Sequence, residues 1–343
     1  MSKPFFTLIT PVYNIEKLLS YTVESAQNQT FTDWEMILID DGSPDNAGAL
    51  CDEYAKNDDR IKVVHKQNEG LAAARNTGLD NTRGEYFIIL EGSDDFYNED
   101  TLQKIHDRLK LNPVDIYFGL LQDVSEKDKK VFGRQKDYSV SGLFSAGGKQ
   151  LFCTLYDNND ILALSSPVNK AFRTEFIKKY ALRFYKGIYH DDDEWLPRTI
   201  ALSKSAYFSN EIMYNALTWE GCFGQMTSEK SLTKKACDKI FIADRCLKDV
   251  DIRFTEDNTP FKRKYYEYYV RMYIDGLCAK NRVKDKELTD KIIKTARKNA
   301  VAFSYMKKCE SRNLKFLGAI KSLFGFSFAA KLVIKRYKNK ENK

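Results

Sequence analysis

Three acidic or polar clusters in this sequence are of types that hold phosphates, cations and reactive hydroxyls. They are Thr10-Pro11-Val12-Tyr13-Asn14, Asp40-Asp41-Gly42-Ser43 and Glu91-Gly92-Ser93-Asp94-Asp95. Each could be a simple turn, since Asp, Asn and Ser cap helices and Gly relaxes turns. Adjacent carboxylates such as Asp94 and Asp95 repel unless they are solvated or share a cation, and hard divalent ions take oxygen ligands completed by substrate phosphates. A metal–diphosphate site is therefore the sharper reading. A fourth cluster, Tyr189-His190-Asp191-Asp192-Asp193-Glu194-Trp195, would make an acidic first helical turn, which the helix dipole favours. A carboxylate there could also serve as a general base toward a sugar hydroxyl.

Positioning these clusters calls for strands that end at them. Short β-branched or aromatic runs at Phe5–Thr10, Glu35–Asp40, Ile61–His65, Tyr86–Leu90 and Val114–Leu120 alternate with helical patterns at Ile15–Ala26, Asn46–Asn57, Gly70–Asn81 and Glu99–Leu111. That alternation predicts an α/β fold, a mostly parallel sheet flanked by helices. The polar clusters then fall at the carboxyl ends of neighbouring strands, where open sheets bind ligands. No GxxxxGK[ST] occurs, and the dinucleotide fingerprint is missing after the first strand, so the phosphates must be held another way. His65 and His106 are isolated and read as structural. Beyond residue 230 strand signals vanish and Ala236–Leu247, Lys262–Leu277 and Glu287–Ala302 read as amphipathic helices, an α-helical appendage.

The chain has 343 residues and a net charge of +7, with 43% hydrophobic and 30% charged residues, which excludes wholesale disorder and fibrous classes. From Tyr305 to Lys343 the charge is +9, so the excess basicity belongs to the tail and accompanies no nucleic-acid motif; no nucleic-acid partner is expected. Seven scattered cysteines without CxxC spacing suit a reducing compartment rather than a disulfide framework or zinc site. The first residues lack a signal-peptide pattern, so secretion by that route is not expected. Ser322–Ala330, the most apolar stretch near the end, is far short of the roughly 20 residues a spanning helix needs.

The run from Pro4 to Asn98 resembles the nucleotide-sugar-binding half of family 2 inverting glycosyltransferases with the GT-A fold, including bacterial capsule, exopolysaccharide and O-antigen enzymes. The motifs that carry the resemblance are Thr10–Asn14, Asp40–Ser43, Asn68–Gly78, Gly84–Tyr86 and the acidic strand end. Asn169-Lys170-Ala171-Phe172-Arg173 and His190–Trp195 resemble the family's acceptor-side motifs. The resemblance implies a nucleotide-sugar-binding half over 1–120, an acceptor-side half over 121–228, and a helical region with a basic tail over 229–343.

It also implies roles. Thr10, Pro11 and Tyr13 frame the nucleobase, Asp41 accepts from the base ring with Gly42 and Ser43 beside it, and Arg75 lies by the base or diphosphate. The acidic strand end holds Mg²⁺ or Mn²⁺. That strand end is one residue longer than the family's usual Asp-x-Asp-Asp, so a bulge at Gly92 is expected. Asp94 is then the first candidate for the metal ligand, with Glu91 and Asp95 as the alternatives, and Asp192 matches the catalytic base. Related enzymes often carry an Arg shortly after the position of Tyr214; Asn215–Glu220 has none, so acceptor contacts there are not carried over.

The expected activity is metal-dependent, inverting transfer from a nucleotide diphosphate sugar, a UDP-sugar above all, to a hydroxyl of a growing lipid-linked saccharide in surface-polysaccharide synthesis. The rival is a non-catalytic nucleotide-sugar-binding or scaffolding protein. Apolar residues Leu314, Phe316, Leu317, Ile320, Leu323, Phe324, Phe326 and Phe328 interleave with Lys315, Lys321, Lys331, Lys335 and Arg336, the composition of an interfacial helix. An anionic membrane surface is therefore an expected partner, with the protein cytoplasmic and peripheral at the inner face of the cell membrane.

Overall fold

The computed structural model describes residues 3–219, 226–256 and 259–341. The chain forms two compact units, one of Met1–Gly187 with Asp191–Glu220 and one of Ile188–His190 with Gly221–Lys343. The division that the resemblance implies, at 228/229, lies eight residues later than the one found, at 220/221.

The first unit begins with β1 (Phe6–Val12), α1 (Leu19–Gln27), β2 (Trp34–Asp40), α2 (Ala47–Asn57), β3 (Ile61–His65), α3 (Leu71–Asn81), β4 (Tyr86–Ile89), the two-residue β5 (Asp95–Phe96) and α4 (Thr101–Leu111). It continues through β6 (Ile116–Ser125), β7 (Val131–Arg134), β8 (Gly142–Phe144), α5 (Gly148–Asp157), α6 (Ile161–Ser165), β9 (Lys170–Arg173), α7 (Thr174–Lys179), α8 (Asp191–Leu202) and β10 (Ala206–Thr218). One sheet runs β3-β2-β1-β4-β9-β6-β10-β5, with β7 on β6 and β8 on β10. Its β3-β2-β1-β4 half is parallel, as the alternating pattern predicts. Beyond β4 the sheet is mixed, because β9 enters antiparallel between β4 and β6, while β10 returns parallel to β6.

Every residue of β1 and β2 is buried, so these strands read as continuous apolar runs rather than alternating ones. Helix α1 covers one side with Leu19, Thr22, Val23 and Ala26. Helix α3 lies against the sheet because Ala72, Ala73 and Ala74 are small and Gly78 meets Ile9 directly. At the opposite end from the polar clusters, the Glu35 carboxylate accepts from Thr7 Oγ1 at 2.9 Å, Lys62 Nζ at 3.0 Å and the Arg83 amide at 3.1 Å. Burial alone would raise its pKa, but the bonds from Arg83, Lys62 and Thr7 prevail and hold it below the ordinary value.

The second unit is helical: α9 (Glu229–Arg253), α10 (Pro260–Cys278), α11 (Lys286–Lys298), α12 (Ala302–Tyr305) and α13 (Arg312–Glu341). Ser228, Thr259 and Asp285 cap the first three, each accepting a backbone N–H in the first turn. Capping at Ser228 explains why α9 begins seven residues before the apolar periodicity of Ala236–Leu247. Gly276 lets α10 approach α9, since a Cβ there would lie 2.7 Å from the Ala236 carbonyl oxygen. Helix α13 is broken at Gly325, whose φ of 77° few other residues adopt.

A Cβ on Gly78 would sit 2.2 Å from Ile9 Cγ2, with β1 fixed on both sides. Gly78→Ala should therefore destabilise the first unit by about 1–3 kcal/mol through overpacking. Urea unfolding checks this as a lower midpoint at unchanged slope.

Candidate active site

The polar clusters gather at the carboxyl ends of β1, β2 and β4 and the start of α8. Thr10, Pro11 and Val12 are the last residues of β1, and Asp41 N–H donates to the Val12 carbonyl at 2.9 Å. The Thr10 hydroxyl is buried and has no hydrogen-bond partner among the described residues, while Tyr13 is half exposed. At the end of β2 the buried Asp41 carboxylate accepts from Lys66 Nζ at 2.8 Å, Glu69 N–H at 3.1 Å and Gly70 N–H at 2.8 Å. Asp41 thus fastens the loop that starts α3, and roughly one of its four acceptor positions remains. Gly42 adopts φ +69°, and a Cβ there would lie 3.0 Å from the Asn68 amide. Ser43 N–H donates to Asp40 Oδ1 at 2.9 Å, and His65 bridges Asp40 and Asp52 at 2.9 and 3.0 Å, a structural role.

Arg75 projects from α3 and is 2% exposed. Its Nη2 donates to Glu91 Oε1 at 2.5 Å, its Nη1 to Asp191 Oδ2 at 2.9 Å and also to Asp192 Oδ1. The guanidinium's rigid fork suits three carboxylates arriving from two directions. Burial works against its charge, but Asp192, Glu91 and Asp191 outweigh that and hold it well above its ordinary pKa. Asp191 is buried, whereas the Asp192 side chain keeps 29% of its surface open. Desolvation, opposed by Arg75 and reinforced by Asp191, Glu91 and Asp193, holds the Asp192 carboxyl above the ordinary range.

The acidic strand end is a turn rather than a strand bulge: Asp94 N–H donates to the Glu91 carbonyl at 3.0 Å. Gly92 is required there by close approach, since a Cβ would stand 2.3 Å from Ile15 Cδ1 and 2.7 Å from the Pro11 carbonyl oxygen. Thr22 of α1 donates to the Asp94 carbonyl at 2.6 Å. The Asp94 carboxylate faces β10, accepting from the Tyr214 hydroxyl at 2.7 Å and from Leu217 N–H at 2.7 Å. Tyr214 in turn accepts from Glu91 N–H at 3.2 Å. Burial, together with the charges of Glu91 and Asp95 and against those two bonds, pushes Asp94 up to about 7. Asp95 is partly buried in β5, opposite Asn215, and is also raised by burial.

Glu91, Arg75 and Asp192 are therefore bonded together, while Asp94 belongs to the same turn but is held by β10. Among the described residues no three His, Cys, Asp or Glu side chains converge as a preformed cage. Asp94 nonetheless fits a cation: both its donors are neutral, its nearest charges are negative, and Mg²⁺-type sites often use one or two carboxylates completed by phosphates. Asp191, Tyr214 and Leu217 had no role assigned from sequence. Asp191 could have been suspected from its place beside Asp192, but the Tyr214 and Leu217 contacts depend on a strand pairing that no local pattern encodes.

The sheet order, with the acidic turn at the end of β4 and the carboxylates at the head of α8 beside it, is that of a GT-A-type α/β fold. The sequence profile of the family described as Glycosyl transferase family 2 matches residues 7–180, and the chain belongs to that family. The uncharacterized glycosyltransferase EpsJ of Bacillus subtilis (strain 168) is 39% identical over 113 residues, 33% of either chain. Glycosyltransferase GlyA of Streptococcus pneumoniae serotype 4 is 28% identical over 236 residues, 65% of this chain and 32% of GlyA. The matches span about a third of each relative's length. The crystal structure of S. aureus TarS 1-349 in complex with UDP-GlcNAc superposes with a TM-score of 0.69 at 17% identity, covering 98% of this chain and 92% of that one.

Arg75→Met should cost about 3–5 kcal/mol of stability at neutral pH, because Glu91, Asp191 and Asp192 lose their cation. Asp191 and Asp192, already raised by burial, would then bind protons more tightly in the folded variant than in the unfolded chain. Folded-state protonation makes stability fall as pH rises, so the deficit should shrink from pH 8 toward pH 5. Denaturant unfolding of both proteins across that range measures it.

Proposed function

We propose that the protein is a metal-dependent inverting glycosyltransferase. It moves a sugar from a nucleotide diphosphate sugar, a UDP-sugar, to a hydroxyl of a growing, lipid-linked saccharide in bacterial surface-polysaccharide synthesis. The observation that carries this reading is Asp192: Arg75 grips its Oδ1, its side chain is partly open, and it stands beside the acidic turn. Oδ2, which no hydrogen bond engages among the described residues, is the atom left to take the acceptor's proton.

In this reading Thr10, Pro11 and Tyr13 frame the base, and Asp41 offers it the acceptor position left by its three donors. Gly42 and Ser43 line that side, and Arg75 keeps Glu91 and Asp192 facing the reacting end. Mg²⁺ or Mn²⁺, held by Asp94 with Asp95 nearby and completed by the diphosphate, would supply the positive charge that stabilises the leaving group. Asp192 deprotonates the hydroxyl as it attacks the anomeric carbon from the face opposite the diphosphate, and the proton ends on Oδ2. One displacement inverts the centre, and no covalent intermediate is needed.

Helix α13 supports attachment to a membrane surface. Leu314 and Leu317 are buried, whereas Phe316 and Leu323, which share a face with Ile320, are 52% and 74% exposed, and Phe328 is 50% exposed. Lys315, Lys331 and Lys335 are exposed nearby. Among the described residues no helix is long and apolar enough to cross a membrane. An apolar stripe flanked by cations suits reversible, in-plane binding to anionic lipid at the cytoplasmic leaflet, each basic residue contributing about 1 kcal/mol.

Nucleotide release from UDP-, GDP- and dTDP-sugars, with and without Mn²⁺, tests the activity; release from none of them would favour the non-catalytic rival. With the accepted donor, Asp192→Asn should lower turnover by about 10²–10⁴-fold while donor affinity stays near normal. Near-normal turnover, with Asp191→Asn or Asp193→Asn inactive instead, would move the base to another carboxylate. Full-length protein should co-sediment with anionic vesicles at low salt and a chain truncated after Arg312 should not; equal binding by both would reject the tail as anchor.

A further inference from the structure

Lys170 has no part in the chemistry above, and its setting is unusual. The residue opens β9, its side chain is fully buried, and its Nζ donates to the Ser166 carbonyl and to Asn169 Oδ1, the latter at 2.9 Å. The Phe118 ring lies 5.0 Å from the ammonium. These partners are all neutral. A buried ammonium without a bonded anion is costly, and an apolar side chain of the same volume would fill the space without that cost.

The strand pleat shows where the ammonium lies. Lys170 and Phe172, two apart on β9, share one face of the sheet. The Phe172 ring stacks on Phe87 at 5.3 Å and meets Trp195 edge-on at 5.1 Å. Trp195 stands one turn beyond Asp192 on α8, on the same face of that helix. Lys170 precedes Phe172 on a strand antiparallel to β4, so it is displaced toward the carboxyl end of β4, the end where Asp192 meets Arg75 and Glu91. The Asp192 charge accordingly acts on Lys170, favouring its charged form. The charges that act most strongly on Asp192 are Arg75 from α3, Glu91 from the end of β4, and Asp191 and Asp193 from its own helix, and Lys170 from β9 feels the Asp192 charge in turn.

We propose that Lys170 is a positioning residue of the active site: a buried ammonium behind the first turn of α8 that holds the Asp192 carboxylate in its charged, proton-accepting form. This rests on the reading of Asp192 as the base. Three carboxylates crowd Asp192, and Arg75, the cation bonded to it among the described residues, is shared with two of them. A second, unshared positive charge offsets the remainder. The coupling is reciprocal: burial pushes Lys170 down to about 7, and the Asp192 charge opposes that fall.

The test has two arms on the full chain. In the pH–rate profile of nucleotide release, Lys170→Met should move the acidic limb to higher pH by about one unit, so that at the wild-type midpoint the variant is several-fold slower, with the plateau rate recovered at high pH. In case Lys170→Met does not fold, the second arm uses Asp192→Asn, a change at a partly open site. With lysine labelled at ¹³Cε, the buried Lys170 signal should titrate about one pH unit lower in Asp192→Asn than in wild type, a readout that a merely structural lysine would not move. An unmoved acidic limb, or a Lys170 titration identical in the two proteins, overturns the proposal. Failure of the base reading shows separately, as undiminished turnover in Asp192→Asn, because the lysine titration requires no activity.

Discussion

The guanidinium of Arg75 joins three segments that are far apart in sequence. It lies inside the first unit, bonded to Glu91 at the end of β4 and to Asp191 and Asp192 at the head of α8. Lysine could not replace it, since a single ammonium has neither the planar fork nor the always-charged state that three converging carboxylates demand. Much of the surrounding architecture can be understood as what it takes to bury that cation. The small residues of α3 bring the helix onto the sheet, Gly78 seats against Ile9, and Asp41 fastens the loop from which α3 starts. The Phe184 ring, 5.1 Å from the guanidinium, stacks on Trp195 of α8 and closes the other side.

The second constraint is the acidic turn. Glu91 and Asp94 carry opposite fates within four residues: one carboxylate is neutralised by Arg75, the other is held by the neutral donors of Tyr214 and Leu217. The local charge is thus unevenly compensated, since Asp94 is bonded to no cation among the described residues. A bound cation would offset that carboxylate, and the family to which the chain belongs gives the proposal its context.

The parallel half of the fold is legible in the sequence because each strand is a short apolar run and each helix has its own period. Strand β3 spans Ile61–His65 as its β-branched run predicts, and the other boundaries shift by a few residues. What resists reading is whatever depends on distant pairing. Strand β9 is four residues long and wedges between strands formed much earlier in the chain, and β5 is only two residues, existing because β10 passes beside it. Tyr214 and Lys170 stand at positions that the family resemblance marks, yet what each side chain touches depends on strand pairings that no local pattern encodes. Asp41 shows the converse. Its acidic type marked it for ligand binding, yet most of its hydrogen-bonding capacity serves the loop from Lys66 to Gly70.

At the centre of this account is a single displacement at the anomeric carbon, assisted by an Asp192 that Arg75 holds in place. The most direct test is the anomeric configuration of the first sugar released or transferred from an α-linked nucleotide sugar, followed by proton NMR before the free sugar can equilibrate. The account predicts the β anomer as the initial product. An initial α anomer would mean retention, hence a covalent intermediate or a front-face route, and would contradict it.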